Sequence, residues 1–419
     1  MLRLIHDAQK EQQVDFQMTL DGVAREGARR MLALALDAEV AEYMEKVKEF
    51  RDDKGHALVV RNGKGKQRQI TVGSGTFRLN VPRVNDKRVI DGEKQRFTSA
   101  ILPPYMRRSP KVNEVLPVLY LRGLSTGDFS EALKSLLGED AAGLSPSTIC
   151  RLTAEWEKDY LAFQNRDLSD EEIVYIWADG VHFNVRLEDD RLCTLVVVGA
   201  RSDGIKKVLA VEDGYRESTE SWMSVLRNLK RRGLKAPALA TGDGALGFWG
   251  ALRSVWPKTK EQRCWVHKIA NVLDKLPKRL QPKAKRALHG IMNAETKKEA
   301  EQGIKVFKVD YEAKHPKAVA SLTKNQDALL TFYEFPAEHW NHIRTGNPIE
   351  SAFATVRLRQ RVTKGAGSRR KALLMAYKLL DMAENRWRKL RGYRLLPNVY
   401  AGEKCVDGIF PSKTTRIAA

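Results

Sequence analysis

The chain has 419 residues, 42% of them hydrophobic and 30% charged, so it can bury cores of ordinary size and is not disordered throughout. Its formal net charge of +21 indicates a polyanionic partner, of which nucleic acid is the commonest. A basic protein of the membrane surface is the alternative. We find no apolar run of about 18 residues, no lipidation signal and no signal peptide, and we expect no membrane partner.

The first 105 residues are predicted to form a helical and small β region for oligomerisation or DNA contact. The stretch from about 15 to 50 has helical periodicity. Its apolar face indicates packing or oligomerisation and comprises Leu20, Val23, Ala24, Met31, Leu34, Ala35 and Ala38. Alternating apolar residues at 70–72 and 77–81 then predict a hairpin with its turn at 73–75. The flanks of this hairpin are basic, so it could touch the DNA backbone.

Residues 106–168 are predicted to be a helix-turn-helix DNA-binding domain. Capping residues at 125–128 open one helix that runs through Leu137, and Ser145-Pro146 opens a second one after a glycine-containing turn. The second helix of such a motif enters the major groove by its N-terminal residues, which here are Ser147, Thr148 and Arg151. Spacing alone favours an ordinary pair of helices equally well, and the basic composition favours DNA.

A buried β-strand is predicted at 173–186, where β-branched and aromatic residues surround a single acid, Asp179. No Lys or Arg stands within five residues of Asp179 on either side. An ionised carboxylate in an apolar strand is costly unless a charge compensates it. A divalent metal ion or a distant cation must therefore supply that charge.

Two further strands, a helix, a strand ending at Gly242-Asp243-Gly244, a helix and a last strand near 261–264 follow in order. Three antiparallel strands followed by alternating helix and strand predict an α/β ribonuclease-H-like mixed sheet, with its first part at 169–267. The first and fourth strands are then adjacent, and Asp179 and Asp243 converge at the carboxyl ends of strands, where sites of such sheets lie. The alternative for Asp243 is a turn residue that caps the next helix.

An all-helical insertion is predicted at 268–340, followed by the final core helices at 341–400 and a tail at 401–419. Asn347-Pro348-Ile349-Glu350 opens a long helix, with Asn347 as the predicted N-cap and Glu350 as a capping-box acid. Glu350 can cap the helix and also serve a site. Arg357 lies two turns further on the same face and could reach a phosphate.

Three carboxylates, from two adjacent strands and one helix, suit a site that holds two ions of Mg²⁺ or Mn²⁺ for phosphoryl transfer. Cys264 and His267 have half of a zinc-finger spacing, but no second ligand pair lies nearby at motif spacing. We therefore favour a packing or hydrogen-bonding role for this pair near the three acids.

The segments WADGVHFNVR, ATGDGALGFWGALR, EQRCWVHKIANVLDKLP and TGNPIESAFATVRLRQRVTKGAGSR resemble the Mutator-type transposases of bacterial insertion sequences. The resemblance covers nearly the whole chain. It implies that Asp179, Asp243 and Glu350 are the catalytic and metal-binding acids, with Cys264, His267 and Arg357 in support. It also implies a ribonuclease-H-like core interrupted by a helical insertion, and an N-terminal region that binds DNA ends.

The expected function is that of a DDE transposase, which binds the terminal inverted repeats of its element, cleaves them and joins the 3′-hydroxyls to target DNA. The partners are double-stranded DNA and further copies of the chain, as a homodimer or higher oligomer. From residue 351 onward, 16 Lys and Arg stand against four Asp and Glu, so DNA contacts are predicted here too, at Arg359, Arg361 and Lys364.

Two alternatives remain, a structure-selective nuclease or resolvase on the same core and a transposase-derived repressor that no longer catalyses. The four cysteines are widely scattered, which indicates a reducing compartment and not a disulfide framework. We therefore expect the protein in the cytoplasm, associated with the nucleoid.

Overall fold

The computed structural model describes residues 19–122, 128–137, 146–183, 192–214, 218–244, 246–363 and 368–411. The chain forms two compact units, Met1–Cys150 and Arg151–Ala419. Within the described ranges, no helix is both long enough and apolar enough to cross a membrane.

The N-terminal unit contains one long helix, a hairpin and shorter elements. Helix α1 (Leu20–Lys46) is followed by strands β1 (Val59–Val72) and β2 (Gly75–Asp86), the short strands β3 (Val89–Ile90) and β4 (Glu93–Lys94), and helices α2 (Pro110–Arg122) and α3 (Asp128–Leu137). Strands β1 and β2 are antiparallel, and Val72 lies opposite Gly75 across the turn. The predicted hairpin is therefore confirmed.

Helix α1 packs on the hairpin through a different face from the one predicted. Leu36 is buried in one cluster with Ile70, Phe77 and Leu79 of the hairpin. Met31 and Leu34 of the predicted face are 66% and 70% exposed. The packing interpretation of that face is wrong because the helix carries two apolar stripes, and periodicity cannot tell which one meets the hairpin. Oligomerisation through the exposed stripe stays a prediction.

A buried ion pair fixes the far end of the hairpin. Arg88 donates to both carboxylate oxygens of Asp86, and the hydroxyl of Tyr43 on α1 donates to Asp86 Oδ2 over 2.6 Å. The Asp86 side chain is 1% exposed. The hydrogen bonds from Arg88 outweigh burial and lower the pKa of Asp86 to about 2.

This pair predicts that acid destabilises the N-terminal unit. A carboxylate whose pKa is lower in the folded state stabilises the fold at pH values above its unfolded-state pKa. That stabilisation is lost as the pH falls through its folded-state pKa. We expect a loss of about 2 kcal/mol between pH 4 and pH 2, since one pKa unit corresponds to ~1.4 kcal/mol. Hydrogen exchange of the 59–86 amides, corrected for intrinsic rates, measures it. An equally steep loss in Asp86→Asn would contradict the assignment.

The second unit is built on a five-stranded mixed sheet with the order β7-β6-β5-β8-β9. These strands are β5 (Ile173–Phe183), β6 (Leu192–Arg201), β7 (Lys206–Gly214), β8 (Leu239–Gly242) and β9 (Lys260–Arg263). The first three are antiparallel neighbours, and β5, β8 and β9 run parallel to one another. The predicted order of the strands and the adjacency of the first and fourth are confirmed.

Helices cover this sheet and continue beyond it. Helix α4 (Pro146–Asn165) begins before the boundary of the unit, and α5 (Thr219–Arg231) and α6 (Leu246–Val255) connect the strands. Trp222 of α5 and Phe248 of α6 are buried in one cluster with the apolar side chains of β5, β6 and β7. Burial of both large rings against the sheet fixes the helices that connect its parallel strands.

The rest of the second unit is helical, as predicted for the insertion. After β9 come α7 (Trp265–Leu273), α8 (Gln281–Met292), α9 (Lys297–Tyr311), α10 (Pro316–Thr323), α11 (Gln326–Leu330), α12 (Trp340–Ile343), α13 (Asn347–Thr363), α14 (Arg369–Glu384) and α15 (Leu396–Tyr400). Short 3₁₀ turns lie at Thr331–Glu334, Ala337–His339 and Tyr393–Leu395.

Both helices of the predicted helix-turn-helix exist as α3 and α4. The residues that open the first of them at 125–127 and the turn between them at 138–145 lie outside the described residues. The boundary between the compact units falls inside α4, between Cys150 and Arg151. A helix-turn-helix arrangement and the finer division into domains therefore stay predictions.

Candidate functional site

Two aspartates lie next to each other at the carboxyl edge of the sheet. Ala178 of β5 pairs with Gly242, the last residue of β8, in parallel register. Asp179 and Asp243 are the residues that follow. Because neighbouring strands lie about 4.8 Å apart, the two backbones bring these acids side by side. Both side chains are half-buried, and the backbone N–H of Gly180 donates to Asp179 Oδ1 over 2.8 Å.

An arginine that sequence reasoning missed lies beside Asp243. Arg263 ends β9, directly opposite Gly242. Gly244 has a φ of +98°, and a Cβ on it would stand 2.5 Å from the guanidinium carbon of Arg263. Burial lowers the pKa of Arg263, and the charge of Asp243 opposes that shift. A glycine is thus required where the guanidinium packs against the turn that carries Asp243.

A chain of hydrogen bonds connects this edge to the start of α13. The backbone N–H of Cys264 donates to the carbonyl of Gly242 over 2.8 Å. The Cys264 sulfur in turn accepts from the backbone N–H of Gly346 over 3.1 Å. Glu350 then donates its own backbone N–H to the carbonyl of Gly346 over 3.0 Å. The buried thiol therefore fixes the first turn of α13 next to the strand that ends at Asp243.

The first helical carbonyl of α13 belongs to Gly346, which accepts from the N–H groups of Ile349 and Glu350. Gly346 is therefore the N-cap, and the prediction that Asn347 caps this helix is wrong. The hydrogen bond from the Gly346 N–H to the Cys264 sulfur holds Gly346 in place, and the helix therefore begins one residue earlier than predicted. Glu350 Oε1 is buried and has no hydrogen-bond partner among the described residues, so this oxygen is not part of a capping box.

Cys264, His267 and Glu350 form a compact group. Their potential ligand atoms all lie within 4.8 Å of one another, and His267 Nδ1 is 3.8 Å from Glu350 Oε1. The adjacent Cys264 sulfur raises the pKa of His267 against the effect of burial. The carboxylates of Glu350 and Asp243 act in the same direction as the sulfur. His267 therefore lies within electrostatic reach of two of the three predicted acids.

The structure brings the predicted acids to one edge of the sheet in two groups. Asp179 and Asp243 are adjacent through their strands, and Glu350 lies with Cys264 and His267. Among the described His, Cys, Asp and Glu residues, the three acids do not themselves form a set with every ligand atom within 4.8 Å. The link between the groups is the contact of Cys264 with both Gly242 and Gly346.

The donor set is suited to a divalent cation. Half-buried carboxylate oxygens are the ligands that Mg²⁺ and Mn²⁺ prefer. The buried Glu350 Oε1 lacks a hydrogen-bond partner within the described part of the chain, and a metal ion would satisfy it. Cys264 and His267 offer softer donors, but the sulfur already accepts a hydrogen bond, and a closed zinc site needs four ligands. The geometry therefore fits an oxygen-liganded ion better than structural zinc.

The residues predicted to contact DNA differ in accessibility. Arg151, Arg357 and Arg361 are exposed, and the Arg357 guanidinium lies 5.8 Å from the centre of the Phe353 ring. Arg359 is 2% exposed, so its predicted contact with DNA is wrong in this structure. It continues the buried stripe of α13, which includes Ile349, Phe353 and Val356. That helical spacing was the signal in the sequence that could have excluded it.

Three further predicted DNA contacts lie where the structure gives no test. Ser147 and Thr148 are in the first turn of α4, and their side chains lie outside the described residues. Lys364 follows the last described residue of α13 and is also outside that range. All three stay predictions.

Comparison with known proteins gives one family. The family described as "Transposase, Mutator family" matches residues 3–389. The chain is 57% identical over 291 residues to the transposase for insertion sequence element IS6120 of Mycolicibacterium smegmatis, which covers 70% of this chain and 90% of the relative. It is 48% identical over 280 residues to the transposase for insertion sequence element IST2 of Acidithiobacillus ferrooxidans. That match covers 67% of this chain and 95% of the relative.

Among solved structures, the chain is similar to the HTLV-2 integrase catalytic core domain in complex with magnesium, in its trimeric form. The match is 17% identical, covers 30% of this chain and 88% of that chain, and has a TM-score of 0.18.

Proposed function

Because the chain belongs to the Mutator family of transposases, we propose that it cleaves DNA at the terminal inverted repeats of an insertion sequence and joins the resulting 3′-hydroxyls to target DNA. The observation that carries the proposal is the adjacency of Asp179 and Asp243, with Glu350 tied to the same sheet edge through Cys264. Acids from separate parts of the chain meet where a ribonuclease-H-like sheet would place its site.

We assign Asp179, Asp243 and Glu350 as the ligands of Mg²⁺ or Mn²⁺, most simply two ions. When bound, such ions would activate the attacking oxygen and stabilise the leaving one. Asp179 and Asp243 contribute negative charge from rigid strand ends, so little reorganisation is needed to bind cations. Glu350 contributes a carboxylate from the first turn of α13, and the Cys264–Gly346 hydrogen bond positions that turn.

The surrounding cations are suited to a polyanionic substrate. Arg357 and Arg361 are exposed on α13, the helix that carries Glu350. Arginine side chains on the same helix as a catalytic acid can hold phosphates near it. The net charge of +21 supplies the attraction that is independent of DNA sequence. We further propose that the protein acts as a dimer or larger assembly, since two element ends must be held together.

The proposal is tested by incubating the full chain with duplexes of the two DNA ends that flank its coding region, in Mg²⁺ or Mn²⁺. Nicks at the element ends and joined products are expected, and both are mapped on sequencing gels. Pre-nicked ends separate cleavage from joining. Cleavage without joining would favour a nuclease or resolvase, and binding without cleavage would favour a repressor. Chelation of the metal should stop both reactions and leave end binding.

Arg263 is predicted to be a positioning residue for Asp243. Loss of its charge and packing in Arg263→Ala is expected to lower cleavage roughly 10- to 100-fold, the usual effect of removing a residue that orients a metal ligand. Raising the Mn²⁺ concentration should recover part of the rate, which a purely structural defect would not allow. The matched control is Arg253→Ala, whose exposed guanidinium pairs with Glu261. Equal losses in both variants would contradict the assignment.

A further inference from the structure

The hairpin of the N-terminal unit has one face that is polar and exposed. Ile70, Phe77 and Leu79 point inward and are buried against α1. Side chains alternate along a strand, so their neighbours point outward. On the outward face Gln69 lies opposite Arg78, and Gln67 lies opposite Asn80. All four outward residues are exposed.

These two cross-strand pairs combine three residue types that recognise base edges. Glutamine and asparagine can each make two hydrogen bonds to adenine, and arginine can make two to guanine. Consecutive pairs on one face of a strand are about 6.8 Å apart. That spacing is close to two base-pair steps, since phosphates of one DNA strand follow at about 3.4 Å along the axis.

The charge of the hairpin also favours DNA. Residues 59–85 contain six Lys and Arg and neither Asp nor Glu. Arg61 and Lys64 lie against Asp37 of α1, and the Arg68 guanidinium donates to the carbonyls of Pro103 and Met106. The other three, Lys66, Arg78 and Arg83, are exposed. Three of the six cations are therefore held by contacts within the unit, and of the other three Arg78 lies on the outward face.

We propose that this ribbon (Gln67, Gln69, Arg78 and Asn80) enters the major groove of double-stranded DNA and reads base edges, with Lys66 and Arg83 at the flanking phosphates. The major groove of B-form DNA admits a two-stranded β-ribbon. The proposal rests on the proposed function, because the sequence read would be that of the element ends. It assigns base recognition to a second element besides the predicted helix-turn-helix.

Double-stranded RNA and acidic proteins are less suitable partners for the ribbon. The major groove of A-form RNA is too narrow for side chains to read. An acidic protein would be held by the cations alone and would not require amide side chains opposite each other. The hairpin is also held rigid, since α1 covers its inward face and the Asp86–Arg88–Tyr43 cluster closes its end. A rigid scaffold suits base recognition.

The test is selection of duplexes from a random-sequence library by the full-length chain, followed by binding measurements on the selected motif and its single-base variants. In Gln67→Ala and in Asn80→Ala we expect the preference at one or two adjacent positions to fall from roughly fivefold or more to nearly none. Gln302→Ala, which removes an exposed glutamine from α9, is the matched control and should leave the motif intact.

Lys66→Ala should give a different result, in which binding to every duplex is weaker and the selected motif is unchanged. The slope of log binding constant against log salt concentration should fall by about one. An unchanged motif in both amide variants would overturn the proposal. So would an equal loss of affinity for all sequences in those variants, because the ribbon would then contact only the backbone. A wild-type chain that selects no motif would overturn it too. Failure of the proposed function is seen separately, as absence of cleaved ends.

Discussion

Replacement of either strand-end aspartate by asparagine is expected to lower DNA cleavage by about 10³-fold or more. Asp179 and Asp243 follow the paired residues Ala178 and Gly242, so each side chain occupies a fixed place on a rigid strand. Asparagine keeps the size of the side chain and removes the negative charge. The fold should therefore survive while cation binding and cleavage are lost. Strand nicking at the element ends measures the effect, and end binding measured in parallel should change less than threefold.

The matched control is Asp310→Asn, because Asp310 is an exposed aspartate on α9. It should cleave at the wild-type rate. Isothermal titration with Mn²⁺ gives a second readout, in which Asp179→Asn and Asp243→Asn bind the metal more weakly and Asp310→Asn does not. Wild-type cleavage by either strand-end variant would remove that residue from the site.

The five-stranded sheet could be predicted because the sequence patterns that indicate its strands are local. Buried strands are rich in β-branched and aromatic residues, and short polar segments separate the three antiparallel strands in the sequence. The adjacency of β5 and β8 then follows from the helical connection between β7 and β8, which allows a parallel return. Asp179 and Asp243 were identified for the same reason, since each is an acid at a predicted strand.

The contacts that complete the site could not be predicted in this way. Cys264 meets Gly346 across 82 positions of the chain, and no local pattern predicts that hydrogen bond. Arg263 reaches Asp243 only through the register of β8 with β9. Helix α1 shows the same limit, because two apolar stripes have the same period and only the tertiary packing selects Leu36 and Val40 for burial.

At Arg359 the charge of the side chain and the periodicity of the helix predict different environments. The charge of Arg359 predicts a contact with DNA. Its position on the helix face that carries Ile349, Phe353 and Val356 instead predicts burial, and the side chain is buried. The prediction rests on the excess of positive charge from residue 351 onward, although helical periodicity divides the charges of α13 between two faces. Net charge therefore indicates a polyanionic partner, whereas helical periodicity decides which residues of the helix are accessible to it.

Shortening the acid of α13 in Glu350→Asp is expected to reduce cleavage by about 10²- to 10³-fold while leaving the stability of the protein almost unchanged. Aspartate keeps the negative charge in the first turn, so its interaction with the helix dipole is retained. Its carboxylate is withdrawn by one methylene from a position that Gly346 and Cys264 fix. A displacement of about 1 Å is enough for a 10²-fold loss when reacting groups must be aligned.

The two roles that the sequence allowed for Glu350 predict opposite results in this experiment. A residue that acts only through the helix terminus should tolerate Glu350→Asp and lose stability in Glu350→Gln, which removes the charge. A metal ligand should lose cleavage in both variants, with unfolding midpoints close to wild type. Thermal unfolding and strand nicking, measured on the same preparations, separate these outcomes. Cys264→Ser provides the intermediate case, because its hydroxyl can still accept from Gly346, and its loss of cleavage should be smaller than that of either Glu350 variant.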